Sequence, residues 1–524
     1  MRLVDGFFDK EAQPGWAARL GQPWALLLMF IGLGTCLRLH LLGVRSLWLD
    51  EAFSISVART PLPEFLRTVW WGEANMTLYY LLLRVWLHVG DSEFWLRSLS
   101  VLLGVLTIAA TYLLGERFLS RRVGLIAAAL LTIHSFHIRY SQELRSYTLV
   151  TLLVILSTYA FLAALQAPDR KVFWLLYALF SALALYAQVL AVFVLCSQWL
   201  VLTPGRIKRL GIFRLLSVGT AIGILAAPIA AVMLFQNKGQ LDWVPRPNLI
   251  RIFDVFQYMA GYEPLSSHYS ARTVFLLIFY ATTWIFAFAA ALYKDDPEQT
   301  EQKKMRASLQ VLVLGFVFPI TAMIGVSFLK PIMFPRYLLM CVPAAVLLAA
   351  QGLITLEQWL PRGRIVSSIV LLIMITAACL SIGDYFATFG TYGHDWRQLT
   401  SFVVSQQQPK DAAIFYTFSG HRVFDYYVAR ERKERGQSAS PDVLFPLELD
   451  PAIIEKRTMP YQRVWLVLHQ TIPSAETNRQ SALIRSALQK HFRLAGEKEF
   501  SGNGATRDET GVILIALYCA ASPN

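Results

Sequence analysis

Apolar stretches recur along the chain from about residue 24 to about residue 386, after which the sequence turns polar and of mixed period. A helix that crosses a bilayer needs ~20 mostly apolar residues, because its backbone polar groups find no partners in the hydrocarbon and must be satisfied within the segment. The pattern predicts spans at 24–42, 96–117, 123–138, 146–166, 172–187, 188–203, 213–235, 273–293, 307–329, 335–357 and 364–386, eleven in all. The stretch 172–203 is read as two short spans broken near Tyr186 to Gln188.

Charge supports that count. With the N-terminus inside, the inner loops are "SRR" (120–122), "PDRK" (168–171), "TPGRIKRL" (203–210), "KDDPEQTEQKKMR" (294–306) and "PRGR" (361–364), each short and each carrying Lys or Arg, as the positive-inside rule requires. One long helix over 172–203 would put "GRIKRL" outside, and two short spans restore the alternation. Residues 43–95 then form a long outer loop. Its aromatic residues Trp70, Trp71, Tyr79, Tyr80 and Trp86, set among Leu and Arg, suit helices that lie in the membrane interface. The first span lacks a small-residue cleavage site, so no cleavable leader is expected.

Composition agrees: 55% of the 524 residues are hydrophobic and 16% charged, and mean hydropathy is +0.46. This is an integral membrane protein by composition. The net charge of +13 is partly accounted for by the inner loops, and no basic helix or zinc finger gives it a nucleic-acid partner. The five cysteines fall in apolar segments without metal-type spacing. From residue 387 onward, "AAIFYTF" (412–418), "RVWLVLH" (463–469) and "GVILIALYCA" (511–520) read as buried strands, and 419–435 and 475–492 as helices. The domains expected are a polytopic α-helical part over 1–386 and a small soluble α/β domain over 387–524, on the outer side. "RERKERGQSASPD" reads as a solvated loop, and "HDWRQL" (394–399) either docks this domain on the membrane part or starts a helix.

Within the outer loop, "RSLWLDEAFS" (45–54) places two adjacent carboxylates, Asp50 and Glu51, just after the first span. Acids at the first turn of an interfacial helix need no function, since the helix dipole favours them there. A resemblance sharpens the choice. "RLHLLGVRSLWLDEAFS" (38–54), "NMTLYYLLLRVWLHVGDSEFWLRSLSVLLGVLTIAATYLLGERF" (75–118) and "RYSQELRSY" (139–147) resemble the N-terminal half of the GT-C glycosyltransferases that use polyprenyl-phosphate sugars, relatives of protein O-mannosyltransferases and lipid A aminoarabinose transferases. "FPRYLL" (334–339) resembles the Arg-Tyr motif before a late span, and the C-terminal domain is similar in position and in its "DWRQL" start.

The resemblance implies a GT-C fold, an active site on the extracytoplasmic face of a plasma (inner) membrane, and Asp50 as catalytic base with Glu51 beside it. The chemistry is consistent with that role. A carboxylate is ionised at neutral pH and can take the acceptor hydroxyl proton as the new glycosidic bond forms, a role typically worth ~10²–10⁴ in rate. A single displacement inverts the anomeric centre. The departing polyprenyl phosphate needs fixed cations, and the outward segments "HIRYSQELRSY" and "LKPIMFPRY" offer Arg139, Arg145, Lys330 and Arg336, with Glu143 and Tyr337 in support. Interfacial snorkelling and a Glu143–Arg145 ion pair are the plainer reading of those charges.

No metal is required by this scheme, although a divalent ion is compatible with it. Some relatives pair a loop acid with a later outer-loop histidine, and Glu73 with His268 are the weak counterparts here. This chain has "NMTLYY", with Asn75, where relatives often carry His-Pro-Pro or Glu-Lys-Pro. His134 and His137 share a helix face without a carboxylate in register and read as bundle polar groups. The expected partners are the lipid-linked donor, the membrane, and an acceptor lipid, glycan or protein. A transporter or flippase of lipid-linked sugars is the alternative, and it would place paired half-helices and charges at the midplane.

Overall fold

The computed structural model describes residues 23–235, 244–262, 271–293, 300–388, 395–416, 420–435, 441–444, 450–470, 475–500 and 512–520. Helix α1 (Pro23–Leu39) leads to three short helices, α2 (Leu49–Arg59), α3 (Leu62–Trp71) and α4 (Thr77–Trp86), which occupy the expected outer loop. Then follow α5 (Glu93–Phe118), α6 (Arg121–Thr132), α7 (Ser135–Ser141), α8 (Tyr147–Gln166), α9 (Lys171–Ala187), α10 (Val192–Leu200), α11 (Pro204–Leu210) and α12 (Ile212–Phe235). The membrane part closes with α13 (Leu249–Met259), α14 (Ala271–Leu292), α15 (Thr300–Leu329), a 3-10 segment Pro335–Cys341, α16 (Val342–Trp359) and α17 (Gly363–Thr388).

Among the described residues seven helices are long and apolar enough to cross a bilayer, and nine spans result if each of two sharply bent pairs is counted as one. The bends are 63° between α6 and α7, and 90° between the segment ending in α10 and α11. α1 and α9 are apolar but shorter. The break expected near Gln188 occurs there, where α9 ends and Gln188 takes an extended conformation. α12 keeps only 22% of its span buried within the protein and turns residues such as Leu216, Ile224 and Leu225 outward. An apolar surface of that kind suits lipid rather than water.

Close helix packing fixes the bundle around α5. A Cβ added at Gly115 would lie 2.7 Å from Gly124 Cα, so the backbones of α5 and α6 meet where neither residue has a side chain. Ser92 and Ser120 cap α5 and α6 by accepting the Trp95 and Val123 amides.

The C-terminal region folds as α18 (Trp396–Gln406), β1 (Asp411–Phe415), α19 (Gly420–Arg435), β2 (Asp442–Leu444), α20 (Pro451–Thr458), β3 (Arg463–Gln470), α21 (Ala475–Gln489), β4 (Phe492–Phe500) and β5 (Val512–Ala520). The five strands are ordered β2-β1-β3-β5-β4, with β1 parallel to β2 and β3, and β5 antiparallel to β3 and β4. Alternation along β3 splits the core: Val464, Leu466 and Leu468 pack with Ile484 and Leu488 of α21, while Trp465 and Val467 join the cluster that holds Val423, Phe424 and Tyr427 of α19. The sequence reading missed β2, α20 and β4. β4 is an edge strand whose interior residues are all exposed, so it carries no apolar alternation, and the helix expected to 492 ends at Gln489. The expected loop 430–442 begins instead as the last turns of α19.

Candidate functional site

The site begins with a buried arginine. Arg97, one turn into α5, is 1% exposed and spends its donors on the segment between α1 and α2: Nη1 on the Leu42 and Arg45 carbonyls at 3.0 and 2.8 Å, and Nη2 on the Ser46 carbonyl at 3.2 Å. Its remaining donors grip Glu51, with Nε to Oε1 at 2.8 Å and Nη2 to Oε2 at 2.6 Å. Glu51 also accepts the Leu144 amide at 3.0 Å and the Trp48 amide at 3.3 Å. Burial by itself would raise the Glu51 carboxyl, but the Arg97 guanidinium outweighs it and holds the group below the usual carboxylate range. Four donors enclose this carboxylate. Glu51, expected beside the base, clamps the start of α2 and ties it to residue 144.

Asp50 is different. Its side chain is 36% exposed, and its Oδ2 lies 3.9 Å from Arg145 Nη2 and 4.0 Å from Arg336 Nη2. Arg145 also reaches the Asp50 carbonyl at 3.5 Å. The two neighbouring acids thus divide the two readings made of them: Glu51 serves the helix start, and the Asp50 carboxylate meets two guanidinium groups that come from sequence positions 95 and 286 residues away.

Arg336 is held by rings. Its guanidinium carbon lies 4.7 Å from the Phe334 ring centre, 5.7 Å from Trp48 and Tyr337, and 6.0 Å from Tyr147. Flat aromatic walls suit a planar cation and leave its edge for an anion. In the stretch 143–147, Glu143 Oε1, Arg145 Nε and Tyr147 Oη are buried and have no hydrogen-bond partner among the described residues. Unused capacity gathered beside one carboxylate is what a polar ligand or water would complete. Glu73 feels the charges of the same cluster. Burial pushes its carboxyl up to about 7, with the Arg145 charge opposing and the Asp50 charge adding to the rise.

The other expected residues fall less centrally. Arg139 lies over the Tyr140 ring at 5.4 Å. The Glu143 carboxyl is raised by burial, with Arg336 and Arg139 as its nearest opposing charges. Arg145 turns to Asp50, so the plainer Glu143–Arg145 ion pair does not form. The Lys330 side chain is exposed at the end of α15 and, among the described residues, has no side-chain partner, which takes it out of the cluster. The cause is local: the Lys330 amide closes the last turn of α15 on the Val326 carbonyl, and an irregular stretch beginning at Pro331 separates it from Arg336.

Among the described residues there is no group of three or more His, Cys, Asp and Glu able to hold a metal. His268 lies outside the described residues. Asn75 accepts the Val189 amide at 3.1 Å, tying the outer loop to the break after α9. His137 meets Arg38 at 2.9 Å and His134 meets the Met259 carbonyl at 3.3 Å, both within the bundle. The residues that sequence reasoning missed are Arg97, Trp48 and Tyr147. A signal existed for Arg97, an arginine in an otherwise apolar helix; rings such as Trp48 and Tyr147 gave none among so many interfacial aromatics.

Comparison with known proteins follows the same lines. The family model described as dolichyl-phosphate-mannose-protein mannosyltransferase matches residues 76–235. A search of curated protein sequences finds no match. Among solved structures, the chain is similar to ArnT from Cupriavidus metallidurans in the apo state, with 13% identity, TM-score 0.56, and 95% of this chain and 98% of that one covered. The same protein bound to undecaprenyl phosphate matches with 12% identity, TM-score 0.51 and the same coverage. The oligosaccharyltransferase AglB from Archaeoglobus fulgidus, in complex with an inhibitory peptide and a dolichol-phosphate, matches with 9% identity, TM-score 0.56, and 97% and 75% coverage.

Proposed function

From the GT-C fold to which this membrane chain belongs, we propose that it is an inverting glycosyltransferase that moves a monosaccharide from a polyprenyl-phosphate carrier to an acceptor hydroxyl. The observation that carries the reading is the half-exposed Asp50 carboxylate set 3.9 and 4.0 Å from the Arg145 and Arg336 guanidinium groups. Base and leaving-group cations lie side by side, as a single displacement needs. The acceptor oxygen attacks the anomeric carbon while Asp50 takes its proton. The bond from that carbon to the phosphate oxygen breaks, and the electron pair leaves with the polyprenyl phosphate, whose added charge falls to Arg336 and Arg145. Glu51 and Arg97 hold the base where it works. The solved relative bound to undecaprenyl phosphate and the one bound to dolichol-phosphate support a lipid phosphate as the common ligand.

We place the reaction on the extracytoplasmic face of the inner membrane, with eleven spans and the domain over 387–524 outside. Cysteines introduced into 43–95 and the C-terminal domain should label from outside, and those in 203–212 from inside; labelling of the C-terminal domain from the cytoplasm overturns this orientation. The activity itself is tested by incubating the purified protein with radiolabelled polyprenyl-phosphate sugars and a cell-envelope extract. Release of polyprenyl phosphate with label passing to an acceptor is the expected result. Movement of intact donor across a vesicle membrane without bond cleavage would favour a transporter.

A further inference from the structure

Tyr427 belongs to α19 in the C-terminal domain, yet its hydroxyl is built into the segment that leads to Asp50. It accepts the Leu47 amide at 2.8 Å and the Ser46 hydroxyl at 3.2 Å, and donates to Glu93 Oε1. Glu93, at the start of α5, is 4% exposed. It also takes Arg397 Nη2 at 2.6 Å on Oε1 and Arg430 Nη1 at 2.9 Å on Oε2. Arg397 extends a further contact to the Gly43 carbonyl at 3.1 Å. Burial and the Glu93 carboxylate hold the Tyr427 phenol well above its ordinary range, so it stays protonated and keeps donating.

The segment 43–47 is thus gripped from two sides. Arg97 holds the Leu42, Arg45 and Ser46 carbonyls from within the bundle. Groups from the C-terminal domain hold Gly43, Ser46 and Leu47 from outside. Asp50 follows Leu47 by three residues, with Trp48 extended and α2 beginning at Leu49. Little slack remains between the Tyr427 hydroxyl and the Asp50 carboxylate. The same helix crosses α2 again at Phe53, where the Arg422 guanidinium carbon stands 4.5 Å from the ring centre.

We propose that Tyr427 is a positioning residue for Asp50, so that the C-terminal domain is a working part of the transfer site through the Tyr427–Glu93 node. The inference rests on the reading of Asp50 as the base. The adjacent Tyr426 gives a contrast: its hydroxyl donates to the Asp91 carbonyl at 2.8 Å near the end of the outer loop and bonds none of residues 43–47, although its ring also carries Arg59, the last residue of α2, at 5.6 Å.

The test compares Tyr427→Phe and Tyr426→Phe in the full-length protein reconstituted in lipid, each checked for a wild-type melting profile. Small misplacements of a reacting group can cost up to ~10²-fold in rate, so Tyr427→Phe should lower kcat by about tenfold to a hundredfold while the donor KM stays within about twofold. Tyr426→Phe should leave kcat unchanged. Because Tyr427 acts through Asp50, adding Tyr427→Phe to Asp50→Asn should bring little further loss. If Tyr427→Phe does not fold, Ser46→Ala removes one of the bonds to the same hydroxyl and should lower kcat by a few fold with KM retained. A folded Tyr427→Phe (or, in its place, Ser46→Ala) with wild-type kcat overturns the proposal, as does a loss that multiplies in full on the Asp50→Asn background. Near-normal turnover in Asp50→Asn alone is a separate outcome: it removes the base assignment and the inference with it.

Discussion

Replacing Glu51 with Gln should damage the fold more than any change at Asp50, although the two residues are neighbours. The carboxylate accepts from Arg97 Nε and the Leu144 amide on one oxygen, and from Arg97 Nη2 and the Trp48 amide on the other, at 2.6 to 3.3 Å. Gln keeps one oxygen and turns the other into an NH₂ group that faces two donors. Whichever way it sits, two buried N–H groups lose their acceptor and the Arg97 charge loses its counter-ion. Breaking a buried pair from one side costs about 3–5 kcal/mol. At Asp50 the ion pairs are 3.9 and 4.0 Å long and the side chain is 36% exposed, where a pair contributes ~0–1 kcal/mol. Thermal unfolding followed by tryptophan fluorescence in lipid nanodiscs should show Glu51→Gln melting well below wild type and Asp50→Asn close to it. Glu51→Gln should also lose turnover, because the start of α2 loosens. If Glu51→Gln melts like wild type yet loses turnover as fully as Asp50→Asn, Glu51 touches the reactants and its role as a clamp is wrong.

Arg336→Lys keeps the charge but not the planar group that lies among Phe334, Trp48, Tyr337 and Tyr147. Losing one charged hydrogen bond of about 1.5 kcal/mol should raise the donor KM about tenfold, and an unchanged KM at equal folding would remove Arg336 from the phosphate site. Glu73 predicts a pH effect. Its carboxyl, raised by burial to about 7, is protonated more readily in the folded protein than in the unfolded chain, so folding favours the protonated form. The stability this adds is fully present at acid pH, below the ordinary glutamate range, and is lost as pH rises to about 7. Melting curves across that window should decline in wild type and flatten in Glu73→Gln; parallel curves for the two would contradict the assignment.

The membrane part was legible because lipid imposes a coarse rule on sequence, and the break near Gln188 could be read from loop charge alone. The Asp50 loop was legible through its motif. What held that loop was not. Glu51 and Asp50 carry the same chemistry at adjacent positions, and the difference between them lies in Arg97, 46 residues from Glu51, and in Arg145 and Arg336, farther still. Lys330 looked equivalent to Arg336 because both are cations in one outward segment, but a helix end and Pro331 separate them. In the C-terminal domain, β1, β3 and β5 announced themselves as apolar runs, whereas the exposed edge strand β4 had no such pattern. "DWRQL" read as a dock or, more plainly, as a helix start, and it is both: Asp395 caps α18 by accepting the Gln398 amide, and Arg397 reaches Glu93.

Single-turnover transfer by Asp50→Asn, with donor binding measured in the same preparation, tests the central claim most directly. The substitution keeps shape and hydrogen bonding but removes the base. The account predicts a folded protein that binds the polyprenyl-phosphate sugar and transfers it ~10²–10⁴ more slowly than wild type. Near-normal transfer by a folded Asp50→Asn protein would contradict it.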